Sequence, residues 1–171
     1  MRKIRSALPL LVLPLAALTA ACASAASPTP EVREMLDRAQ ITALVDRLGR
    51  ALDEGRFEEL RAIYTPDATA KTPGGTAEGR EALIAQASRN HGEDKRIQHV
   101  IGNVLIDLRG DAADVRANLI ATFAPTSPDG TIPRPQYTLG EVYRFDAVRT
   151  AEGWRLSRVQ TTPIWSTGTR P

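Results

Sequence analysis

Cysteine and histidine are almost missing from this chain: its 171 residues contain one Cys, Cys22, and two His, His91 and His99. One thiol cannot close an intrachain disulfide, and two histidines fall short of the usual zinc ligand sets. The run His91-Gly92-Glu93-Asp94 carries ligand-type side chains. Adjacent residues in a polar loop seldom converge on one ion, so no metal is expected there. Aromatic residues are scarce at 5%, and the arginines are interspersed with carboxylates. The basic, aromatic-studded stripe that nucleic acid requires is absent, and no nucleic-acid partner is expected. No Gly-rich phosphate loop follows a strand, no G-x-S-x-G elbow presents a serine, and no repeat is visible. The expectation is a protein without a cofactor and without covalent serine chemistry.

Long apolar runs are lacking too, with one exception. Leu8 to Leu18, interrupted by Pro9 and Pro14, follows Arg2, Lys3 and Arg5 and leads into small residues. This is the pattern of an export signal over residues 1–26, and it is shorter than the about 20 apolar residues of a membrane-spanning helix. Two processing readings stand side by side. Leu18-Thr19-Ala20-Ala21-Cys22 resembles a lipobox, which would lipidate Cys22 and tether the protein to a membrane. Ala23-Ser24-Ala25-Ala26 offers an ordinary cleavage site, which would release a secreted protein with no cysteine. Both imply export. The formal charge of +2 includes the three basic signal residues, and falls to about −1 without them.

Residues 27–35 read as a linker and helix lead-in, 36–165 as one compact domain, and 166–171 as a tail. From about Glu31 to Asp53, Ile41, Leu44, Val45, Leu48 and Leu52 recur at helical spacing, and Gly55 stops the helix. A second short helix is expected over Arg56 to Tyr64 and a third from Gly79 to about Arg89. Ala68 to Thr72 is a short strand candidate. Four longer strands follow: Ile97 to Leu108, Asp114 to Ala124, Tyr137 to Val148, and Trp154 to about Ile164. Pro125 to Pro135 is a proline-rich loop long enough to reach over a cavity mouth. Helices first and strands second imply an α+β fold with helices on one face of an antiparallel sheet.

Within this frame a set of residues recurs in a familiar order: Ile41, Leu44, Leu48, Ala51-Leu52-Asp53, Phe57, Leu60, Ile63-Tyr64 and Asp67-Ala68. Glu78-Gly79-Arg80-Glu81-Ala82-Leu83, Gln98-His99, Asn103-Val104 and Gly153-Trp154-Arg155-Leu156 complete it. From about Arg38 to Thr162 the chain resembles the SnoaL-like branch of the nuclear transport factor 2-like superfamily. The resemblance implies a cone-shaped α+β barrel: a strongly bent, mostly antiparallel sheet packed on about three N-terminal helices, with an apolar pocket at the wide end. It also implies a lyase or isomerase of the dehydratase or dehydrochlorinase kind. Asp53 falls where such members have the carboxylate that orients a histidine, and His99 where they have the general base. The arginine that dehydrohalogenating members use has no firm counterpart, Arg144 and Asp146 being equally near.

The chemistry of those residue types is consistent with that role. An imidazole accepts protons around neutrality when one ring nitrogen is held as a donor and the other faces substrate. A carboxylate at a helix C-terminus meets the negative end of the dipole, which favours a partner for Asp53. Strand alternation places Ile97, His99, Ile101 and Asn103 on one face, with Ile101 and Asn103 as candidate substrate contacts. Tyr64 is a further candidate pocket residue. The bland alternatives are a structural His99, a solvated Asp53 at a helix end, and a sheet-bonding Asn103.

Two functions are therefore carried forward. One is cofactor-independent elimination or double-bond migration on a small, largely apolar molecule, catalysed by Asp53 and His99. The other is an exported, non-catalytic module that binds a small molecule or pairs as a homodimer.

Overall fold

A computed structural model of the protein describes residues 27–170 except 90 and 93. The export signal and Cys22 lie outside the described residues. Among those described, no helix is long and apolar enough to cross a membrane.

Helix α1 spans Pro30–Asp53, beginning with Pro30 in its first turn and capped by Thr29, whose hydroxyl accepts from the Val32 N–H. It buries Ile41, Leu44, Val45 and Leu48 of the expected stripe together with Ala51, whereas Leu52 is half-buried, and its other face is mostly charged and in water. Its end turns at Gly55, which has φ +67°, a conformation open to glycine without strain. The second helical segment is a 3₁₀ helix, Phe57–Ala62, and α2 covers Arg80–Arg89.

Six strands follow or intervene: β1 Tyr64–Thr72, β2 Gly75–Glu78, β3 Lys95–Arg109, β4 Ala112–Pro125, β5 Tyr137–Thr150 and β6 Gly153–Gly168. They form one sheet in the order β2-β1-β6-β5-β4-β3. All neighbours are antiparallel except β1 and β6. The α+β cone architecture implied above is the one observed, with two departures. The turn at Pro73-Gly74-Gly75 opens into a strand, β2, too short for its period to be read. The last strand continues to Gly168, through residues expected to be tail, because Tyr137 to Gly140 of β5 provide a ladder for it.

The sheet is bent by register shifts between Gly102 and Leu105 in β3, at Ile164 and Ser157 of β6 opposite Gly140/Glu141 and Asp146/Ala147 of β5, and between Tyr64 and Thr69 in β1. Its concave face carries Ala117, Leu119, Tyr143, Phe145, Leu156 and Val159 against α1 and α2. At the wide end the core stays open, between α2, the end of α1 and the first halves of β3 and β5. Away from that opening it is closed by Ile106, Val115, Phe145, Trp154 and Leu156.

Candidate active site

Asp53 is the last residue of α1, and His99 sits in the first half of β3. What brings them together is the close approach of the strand to the helix. Ile101, two residues beyond His99, lays its Cδ1 on Gly49, 3.1 Å from where a Cβ would stand. Ile101 thus packs α1 onto the sheet and does not line the cavity. One turn further along α1, Asp53 Oδ1 accepts two hydrogen bonds from His99: from the backbone N–H at 2.9 Å and from Nδ1 at 2.6 Å. One carboxylate oxygen therefore fixes both the strand and the ring. The imidazole is 12% exposed and the carboxylate 26%, so the pair is sheltered and the acid keeps some hydration.

His99 lines a cavity of about 260 Å³ at the wide end of the cone. With Nδ1 donating to a carboxylate, Nε2 is left as an acceptor toward this space. Leu52, Phe57, Leu60, Leu83, Leu119 and Phe123 supply most of the apolar wall, and Tyr64 and Tyr143 line it as well. Burial raises the pKa of both phenols above the ordinary tyrosine value, so they remain protonated hydrogen-bond donors. Around the cavity stand Arg89, His91, Lys95 and Arg170.

Two expected contacts go elsewhere. Asn103 has φ +52° and occupies the β3 bulge, exposed to solvent. The extra residue shifts the inward phase from Ile97, His99 and Ile101 to Val104, Ile106 and Leu108, so Asn103 lies on the outer surface. The 125–135 loop likewise does not line the cavity. It folds on itself around Asp129, which accepts from the Ser127 hydroxyl and from the backbone and side chain of Thr131. Those bonds hold the Asp129 carboxyl at about 2. Arg144 is exposed, and Asp146 pairs with Arg158 outside the cone. Among the described residues no group of three His, Cys, Asp or Glu side chains is arranged around a common ion position.

The SnoaL-like domain model matches residues 33–160, which takes in most of α1 with Asp53, β1 to β5 and the first half of β6. The chain belongs to the SnoaL-like family. An uncharacterized Mycobacterium tuberculosis protein, Rv2910c, is 33% identical over 129 residues, covering 74% of this chain and 85% of that protein. Among solved structures, the Kfla4162 protein of Kribbella flavida superposes with a TM-score of 0.70 at 23% identity, covering 78% of this chain and 95% of that one. A hexachlorocyclohexane dehydrochlorinase, LinA Type2, gives 0.68 at 18% identity, covering 82% and 97%. At these identities the structural likenesses establish the fold.

This SnoaL-like chain also carries a cavity residue that helix and strand spacing had not singled out. Glu141 is 8% exposed on β5, opposite the β6 bulge at Ile164, and lines the same cavity as His99. Its Oε1 has no hydrogen-bond partner among the described residues, nor has the neighbouring Thr161 hydroxyl. Burial raises the Glu141 pKa, and the nearby Thr161, His99 and Arg170 only temper that rise. The signal lay in the alternation Leu139, Glu141, Tyr143, Phe145, Ala147, which puts an acid in phase with the buried set.

A carboxyl whose pKa is higher in the folded than in the unfolded chain binds more protons when folded. Stability then declines as pH rises above the unfolded glutamate value. Glu141→Gln, which cannot ionise, should accordingly melt above wild type near neutral pH and lose that advantage in acid. Paired thermal melts across pH will show whether the gap closes.

Proposed function

We propose that this SnoaL-like protein is a cofactor-independent lyase or isomerase for a small, largely apolar molecule, with His99 as general base and Asp53 as its orienting carboxylate. The observation that carries the reading is the 2.6 Å contact between Asp53 Oδ1 and His99 Nδ1 at the wall of an apolar cavity. A base needs the correct tautomer, a fixed direction and a place for the substrate carbon, and these residues supply all three. The fold supports the same class of chemistry, since solved structures of the same shape include proteins described as dehydratases and a hexachlorocyclohexane dehydrochlorinase.

In the reaction, Nε2 takes a proton from a carbon beside an activating group. The electron pair left behind either expels a group from the adjacent carbon or moves a double bond. Positive charge appears on the ring as this happens, and Asp53, already aimed at Nδ1, stabilises it without itself taking the proton. Leu119, Phe123 and the neighbouring apolar wall hold the substrate and keep water from competing.

The test starts with a thermal-shift screen of hydrophobic alcohols, ketones and halides. Compounds that raise the melting temperature are then incubated in deuterated buffer and examined for deuterium entering at the acidified carbon. Exchange or turnover in wild type that disappears in His99→Ala supports the base. Binding with no exchange on any compound would leave a binding module of the same shape.

A further inference from the structure

We propose that Glu141 is the proton donor of this site, on the same cavity wall as His99 and two strands away, and that the substrate therefore releases an oxygen leaving group, a hydroxyl departing as water. The inference rests on His99 acting as the base, and adds the second half of the reaction and the class of substrate.

Glu141 is a nearly fully buried acid whose Oε1 no described residue satisfies. A buried, unpartnered carboxyl is costly to keep even when neutral, and more so when ionised. Its position in the cavity wall gives it a purpose that the core does not. The register places it there: Ile101, Leu119 and Glu141 lie in one row across β3, β4 and β5, adjacent to the row of His99, Ala121 and Leu139. Base and acid thus stand on neighbouring rows, two strands apart, with the apolar Leu119 and Ala121 between them.

Among the described residues, Arg89 and Tyr137 line the cavity with Glu141, as do other charged or titratable groups. His99 comes from β3, Tyr64 from β1 and Tyr143 from β5 itself, with Arg170 from the C-terminal end and His91 and Lys95 at the rim. Burial holds the Tyr64 and Tyr143 phenols protonated and lifts the Glu141 carboxyl above the usual glutamate range, so of the three Glu141 is the readier proton donor.

The step balances without any other reagent. His99 Nε2 takes the proton from carbon, and that C–H pair becomes the new C=C bond. The C–O bond to the neighbouring carbon breaks with its pair remaining on oxygen, and the Glu141 proton completes a water molecule. Imidazolium and carboxylate remain, and transfer of the proton from one to the other through solvent restores the starting state. A halide would leave unaided, whereas hydroxide is too basic to leave without a proton, which is why an acid here selects for alcohols.

Two measurements decide it. With carbon-13 carboxyl-labelled glutamate, and Glu141→Gln to assign the resonance, Glu141 should ionise at distinctly higher pH than the exposed glutamates. Ionisation together with them overturns the proposal. Turnover is then compared on two ketones that share the acidic carbon: a β-hydroxy aryl ketone, which must lose hydroxide, and a β-nitrophenoxy ketone, which loses a stable nitrophenolate. Glu141→Gln should shift the ratio of the two rates by on the order of 10² against the hydroxy ketone. An equal loss on both overturns the donor role and makes Glu141 structural. His99→Ala should depress both rates together. If it leaves them intact, the base assignment fails, and the carbon-13 titration still judges Glu141.

Discussion

Replacing His99 by alanine should lower kcat by roughly 10²–10⁴-fold, the usual contribution of a positioned general base, while moving the melting temperature little. The second half of that expectation follows from how Asp53 is engaged. Its Oδ1 accepts from the backbone N–H of His99 as well as from the ring. In His99→Ala the backbone bond survives, and the carboxylate, about a quarter exposed, can recruit water for the lost one. A large loss of turnover in a fold that melts normally would isolate the chemistry from the architecture.

Asp53→Asn probes the same pair from the other side. The amide oxygen can still accept from the strand N–H, so the fold should persist. Without the negative charge the imidazolium of the transition state is no longer stabilised, although the amide oxygen standing in for Oδ1 still accepts from Nδ1. A kcat loss approaching that of His99→Ala, with KM changing less, is the expected result, read from steady-state kinetics of both variants on one substrate. Wild-type turnover in either variant would remove the dyad.

How far the sequence foretold this site depends on how local each signal was. The α1 stripe, the Gly55 stop and the alternation in β4 and β5 are short-range patterns, and they placed the helices, the long strands and the Asp53 and His99 backbones correctly. Their meeting is a long-range event, and the family likeness pointed to it where spacing alone left it open. Asn103 was misplaced because a bulge adds one residue to β3, and a period-2 argument reverses its answer at that point. β2 and the end of β6 escaped because four residues, or a tail, become strand only when a neighbour offers a ladder. Glu141 was within reach of the same alternation rule that found the core. It was passed over because a lone acid in a strand is ordinarily assigned to solvent.

The same helix that delivers Asp53 to β3 anchors its other end with a second acid, and there the expected effect is on stability. Asp37 is 7% exposed and accepts from Trp154 Nε1 at 3.0 Å and from the Arg149 guanidinium at 2.6 Å. Arg149 also bonds Asp111 at 2.9 Å and lies over the Trp154 ring, 4.6 Å from its centre. This cluster ties α1 to the β5–β6 hairpin. Asp37→Ala strands a buried indole N–H and takes the inner partner from a guanidinium. Breaking such a buried pair costs about 3–5 kcal/mol, and the lower end applies because Arg149 is one-third exposed and keeps Asp111. A fall in Tm of roughly 10 °C should follow. The pH dependence has a definite sign. Arg149 holds the Asp37 pKa below its ordinary 3.8, so its contribution is complete above that value and is lost as pH falls through the lower, folded one. Wild type should therefore lose stability in acid more steeply than Asp37→Asn, which has no charge to surrender. Parallel acid melts of the two proteins measure the difference directly, and coincident slopes would show that α1 is held to the hairpin by packing alone.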